Sequence, residues 1–79
     1  MLHKVKIMLD TTADVKDFVG ICEGIDEDVS IIDGTNKNYK VNAKSFIGVL
    51  CAQCDFTSLY AISEADIYTK LSRFAVEEA

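Results

Sequence analysis

Residues 40–50 read KVNAKSFIGVL: a short β-prone run, a polar step through Asn42, Ala43, Lys44 and Ser45, then an apolar run interrupted only by Gly48. Serine ahead of a hydrophobic run is a helix-start signal, because its hydroxyl oxygen accepts from first-turn amides that have no partner inside the helix. The stretch therefore predicts a strand ending at the polar step and a helix beginning at Phe46. Phe46, Ile47, Val49 and Leu50 point in too many directions for a helix of two or three turns on a sheet to bury them all. Part of that surface is a candidate partner-binding patch beside Lys44, with ordinary core packing as the other reading. Ser45 also has two readings. It is a plain N-cap, or a cap that accepts a phosphate, which would sit against the positive end of the helix dipole.

Upstream of this stretch, residues 2–9 alternate. Val5, Ile7 and Leu9 face one side and Lys4 and Lys6 the other, the two-residue period of a half-buried strand. In residues 11–24, Val15, Phe18, Val19 and Cys22 recur at helical spacing before Gly24, which predicts an amphipathic helix. DVSIID (28–33) and YKVNA (39–43) read as a hairpin joined by GTNKN, whose glycine and asparagines tolerate the positive φ angles of tight turns. Residues 57–62, TSLYAI, predict a fourth strand. In residues 63–79, Ser63 and Asp66 fit a Ser-x-x-acid cap ahead of an apolar stripe of Ile67, Leu71, Phe74 and Ala75, which predicts a third helix. The order β-α-β-β-α-β-α implies an α+β open sandwich, a four-stranded antiparallel sheet with three helices on one face.

With 79 residues and 49% hydrophobic side chains, the chain reads as one domain over residues 1–79, with a thin core and no linker. Eight basic residues are scattered among thirteen acidic ones, for a net charge of -5, which argues against a general nucleic-acid binder. No apolar run reaches membrane-helix length, and the start of the chain lacks a signal-peptide pattern, so the expectation is a cytoplasmic protein. The three cysteines, Cys22, Cys51 and Cys54, cannot all pair within the chain. The lone CAQC pair has no second half for a zinc site, so small buried thiols are the ordinary reading and a redox pair the sharper one. No metal or cofactor is expected. His3, the single histidine, falls inside the first strand, where a packed or edge role is usual.

The run KVNAKSFIGVL resembles the second-helix signature of the histidine-containing phosphocarrier (HPr) family of the bacterial sugar phosphotransferase system, and the element order resembles that family along essentially the whole chain. The shared features are the VNAKS segment, the bulky pair after it, Gly48 and Val49. The resemblance implies an open-faced β-sandwich. It implies that Ser45 is the target of an ATP-dependent regulatory serine kinase, and that Phe46, Ile47 and Leu50 form an exposed patch docking protein partners.

The family's carrier chemistry needs a histidine, an arginine and a proline at the start of the first helix. Aligned on that helix, those positions fall at Thr11, Ala13 and Asp14, within the segment Thr11, Thr12, Ala13 and Asp14, and none matches. Thr11 and Asp14 fit a capping box, whose carboxylate would take the amides a phosphate needs. The resemblance thus implies a non-catalytic regulatory or adaptor protein, monomeric or weakly dimeric, whose partners include a serine kinase or a transcriptional regulator. The alternatives are a phosphoryl-transfer component with an unorthodox acceptor such as Thr11, Thr12 or a cysteine, and a thiol-based redox sensor built on Cys51 and Cys54.

Overall fold

The computed structural model describes residues 2–77. The elements run β1 (His3–Ile7), α1 (Thr12–Glu23), β2 (Val29–Asp33), β3 (Lys40–Asn42), α2 (Phe46–Asp55) and β4 (Leu59–Ser63). The strands form one antiparallel sheet in the order β1-β4-β2-β3. The small α+β architecture with an open antiparallel sheet therefore agrees with the sequence reading. The described residues hold two α-helices rather than three.

Side-chain parity sorts the sheet into two faces. Val5, Ala61, Ile31 and Val41 align across the strands on the helix side, where Val5, Ala61 and Ile31 are buried. They pack with Val15, Phe18, Val19 and Cys22 of α1 and with Val49 and Ala52 of α2. The opposite face carries two rows. One runs Lys4, Ile62, Ser30 and Asn42; the next runs Lys6, Tyr60, Ile32 and Lys40.

The segment expected to form a third helix is instead a series of turns closed by the sheet edge. Ser63 is the last residue of β4. Its hydroxyl donates to the Asp28 carbonyl at 2.8 Å and accepts from Ala65 N at 3.1 Å, so it caps no helix. Asp66 accepts from Tyr68 N at 3.1 Å, a local turn rather than a first helical turn. Four-residue bonds (Leu71 N to Ile67 O, Ala75 N to Leu71 O) mix with three-residue ones (Ser72 N to Thr69 O, Phe74 N to Leu71 O), so no regular ladder propagates. The chain then straightens. Met8 N donates to Phe74 O and Val76 N to Lys6 O, both at 2.9 Å, which satisfies β1 groups that an open sheet edge would leave unpaired.

Ile67, Leu71 and Phe74 still reach the core, and Phe18 meets Phe74 edge-on at 5.7 Å. Ala75, placed in the same stripe by sequence, is exposed because it lies in the edge pairing opposite Ile7. The last two residues of the expected helix lie outside the described residues.

The hairpin between β2 and β3 also departs from expectation, since no described residue has a positive φ. Side chains close the turn instead: Asn38 N donates to Asn36 Oδ1 and Thr35 N to Asp33 Oδ1, each at 3.0 Å. Gly34 is needed for close approach rather than for its dihedrals. Gly34 N donates to Ser58 O at 3.1 Å, and a Cβ at this position would collide with Ser58 Oγ and lie 2.7 Å from Tyr60 Cε1.

Asp33 holds this corner. Its buried carboxylate accepts from Thr35 N at 3.0 Å and from Thr57 Oγ1 at 2.7 Å, joining the hairpin to the loop before β4. The Thr35 backbone bond, followed by the Thr57 hydroxyl, holds this carboxyl below the usual aspartate range, while burial works the other way. A lowered folded-state pKa contributes stability above the unfolded value of about 4, and that contribution is lost as pH falls through the folded value. Asp33→Asn should therefore melt earlier than wild type at neutral pH, and the gap between the two should narrow on acidification. Thermal melts of both proteins across the acid range check this; a constant gap would contradict it.

Candidate functional site

The two helix starts stand at opposite ends of the helix pair, since Gln53 near the end of α2 reaches the start of α1 and Lys44 ahead of α2 reaches Ile25 just past α1, and both starts are built by local hydrogen bonds. At α1, Thr11 is the N-cap. Its hydroxyl accepts from Asp14 N at 3.1 Å, while Asp14 Oδ2 accepts from Asp10 N at 3.1 Å and Thr11 N at 3.3 Å. The expected capping box is present, and its carboxylate holds the Asp10 and Thr11 amides at the helix start. Thr12 and Ala13 stand exposed in the first turn.

Four contacts around this loop have no local sequence signal. Gln53 Nε2 of α2 donates to the carbonyls of Leu9 (2.7 Å) and Thr11 (3.3 Å), fastening the loop from 42 to 44 positions away. Arg73 Nη1 donates to Asp17 Oδ2 at 3.1 Å, and Nη2 lies 3.9 Å from Asp14 Oδ1. The guanidinium thus pairs with carboxylates already on α1. The pairs are exposed, which limits each to under about 1 kcal/mol.

At α2, Ser45 is the N-cap and its Oγ accepts from Gly48 N at 3.2 Å. A Cβ on Gly48 would stand 3.3 Å from that oxygen, so glycine keeps the hydroxyl uncrowded on the side of the first turn. Ile47 is 72% exposed and Phe46 39% exposed. Leu50 is half-buried and packs partly against the core, so the patch centres on the first turn of α2 rather than on all three side chains equally.

Lys44 is anchored rather than free, its Nζ donating to the Ile25 carbonyl at 2.6 Å. With Phe46 it lines a depression of about 380 Å³ whose other wall is α1, through Lys16, Val19 and Glu23. The participation of Lys16 and Glu23 was not legible in the sequence, because it depends on how the two helices lie together.

The cysteines divide. Cys22 is fully buried, and burial pushes its thiol up to about 12 against the smaller opposing effect of Lys44, so it stays protonated and unreactive at neutral pH. Cys51 and Cys54 are exposed on α2, which corrects the reading of them as small buried thiols. A native thiol titration should count two fast-reacting groups and a third that appears only on unfolding. Three fast thiols would contradict the burial of Cys22.

His3 half-buries on the core side of β1 and meets the Tyr68 ring edge-on at 5.7 Å, the packed role expected of a strand histidine. Among the described residues, no group of three or more His, Cys, Asp or Glu side chains could hold a metal ion. Among them also, no helix is long and apolar enough to cross a membrane. Compared with known proteins, the chain matches no family model, no curated protein and no solved structure.

Proposed function

We propose that this protein is a non-catalytic, HPr-like adaptor that docks protein partners through the first turn of α2 and is switched by phosphorylation of Ser45. The observation that carries the reading is the 72% exposure of Ile47 beside Phe46, two residues after a serine whose hydroxyl is held at the helix start. A large apolar side chain left outside, next to a groove edged by Lys16, Glu23 and Lys44, has the composition of a small interface: an apolar centre with a charged rim. A phosphate on Ser45 would lie against the helix amides and within the field of the neighbouring Lys44, and so would change the charge of the rim without breaking the helix.

The closed α1 start supports the non-catalytic part. With Asp14 on the Asp10 and Thr11 amides, a phosphoryl group arriving there would meet the repulsion of a carboxylate, and Thr11 Oγ1 already serves as a cap. The test is intact-mass analysis after incubation with the ATP-dependent serine kinase of the HPr family. The expected product carries one phosphate, absent from Ser45→Ala. That variant also loses a cap worth about 1 kcal/mol, so its fold is checked by circular dichroism. Absence of modification in the wild type would remove the switch.

A second reading, a thiol-based sensor, draws support from Cys51 and Cys54, both exposed and three residues apart on α2. Hydrogen peroxide would take two electrons and two protons from the pair, giving a disulfide and water. Loss of two hydrogens by mass under mild peroxide, with α2 retained, would favour it; separate sulfenic acids or no reaction would discard it.

A further inference from the structure

We propose that the open face of the sheet, opposite the helices, is a second docking surface, and that its occupant is an acidic protein segment carrying apolar side chains. The proposal goes beyond the adaptor reading, because it concerns the other side of the molecule and stands if α2 proves inert.

The charge distribution is the first reason. Neither of the two rows that cross this face contains a carboxylate, in a chain with thirteen acidic residues; Asp33, next to Ile32, is buried and has the parity of the other face, and Asp28 and Glu64, which share the parity of this face, lie beyond the ends of β2 and β4. Lys4, Lys6 and Lys40 stand in the rows, and Lys37 joins them from the hairpin turn. Half of the eight basic residues thus collect here, leaving four against thirteen acids in the rest of the chain. A like-signed cluster on a protein of opposite net charge creates a local field that attracts anionic partners and repels the same lysine face of a second copy.

The apolar content decides what kind of anion. Lys4, Lys37 and Lys40 line a depression of about 410 Å³ together with Leu2, Ile32 and Ile62. Ile32 is only 7% exposed, yet it lies outside the main core cluster. Its neighbours across the strands are Tyr60 and Lys40, and a lysine stem can swing away from the isoleucine while keeping its charge in water. Leu2, in contrast, is 61% exposed. The arrangement suits leucine or phenylalanine side chains flanked by carboxylates.

Single-stranded nucleic acid fits less well. Sheet faces that bind it stack successive bases on several aromatics, and the two rows hold one, Tyr60, whose ring is already covered by Lys4 Nζ at 4.6 Å from its centre.

The test uses the isotope-labelled full chain, titrated with a synthetic peptide that alternates aspartate with leucine and phenylalanine and followed by amide chemical shifts. Expected are shifts at Lys4, Tyr60, Ile62 and Ile32 with Ile47 unmoved. Raising NaCl from about 50 to about 300 mM should weaken binding several-fold. Lys4→Glu with Lys40→Glu should weaken it at least about tenfold, and the milder Lys4→Gln with Lys40→Gln pair less; melts establish that both variants fold. Shifts confined to α2, no shifts at millimolar peptide, or unchanged affinity in the charge-reversed variant would overturn the proposal. So would tighter binding to oligothymidylate or to phosphatidylserine vesicles than to the peptide.

Discussion

Leu71→Ala is expected to lower the unfolding free energy by about 3 kcal/mol, within the usual range for truncating a fully buried leucine. The size matters because a 79-residue domain has roughly 4–12 kcal/mol in total. Leu71 lies in no regular element, so a reading by secondary structure alone would treat residues 66–74 as surface turns that tolerate change. Its side chain is nevertheless fully buried, like that of Ile67, and Phe74 completes the contact against Phe18. Removing it opens a void beneath the segment that also covers the β1 edge. Thermal melts should show a fall of more than about 10 °C, while the exposed neighbour Lys70→Ala stays within about 0.5 kcal/mol of wild type. A Leu71→Ala protein as stable as the Lys70→Ala control would mean that this segment is not packed as described.

Ile47→Asp should do the reverse, sparing stability and removing function. The side chain is mostly in water already, so the melting temperature should move little. Binding through the first turn of α2 would place a carboxylate in the apolar centre of the interface, where an unpaired charge is costly. If Ser45 is the acceptor proposed above, the expected result is at least a tenfold drop in kcat/KM for its phosphorylation by the serine kinase of the HPr family, with the intact cap still present. Asp at this position leaves the Ser45 to Gly48 bond untouched, so a loss would report docking rather than loss of the acceptor geometry. Equal rates for wild type and Ile47→Asp would take the docking role away from this face.

Both results bear on how far residues speak for themselves. The Thr11 and Asp14 box and the Ser45 cap were legible because each is a bond between groups three positions apart, formed by the helix start itself. The alternation of Val5, Ile7 and Leu9 was legible for a related reason, since strand geometry sends successive side chains to opposite faces and all three are buried. The third helix misled because its signals were equally local and lost to distant partners. Ser63 found the Asp28 carbonyl, 35 positions away, and the chain from Phe74 to Val76 found the unpaired edge at Lys6 and Met8. The apolar stripe of Ile67, Leu71 and Phe74 reached the core through turns as well as a helix would have carried it there.

Sequence alone thus determined the elements whose bonds close within one turn or one strand: β1, α1, the α2 cap, and the chemistry available at each helix start. Tertiary structure decided which of those groups meet. Register across β1, β4, β2 and β3 gathered scattered lysines onto one face, the packing of α1 beside α2 made the groove at Phe46, and the two neighbouring cysteines of α2 were turned outward while Cys22 was buried. The physical reason is separation along the chain. A bond between near neighbours forms wherever the local backbone permits it, whereas partners tens of residues apart are chosen by the whole fold, as buried polar groups and apolar side chains compete for places in one small core.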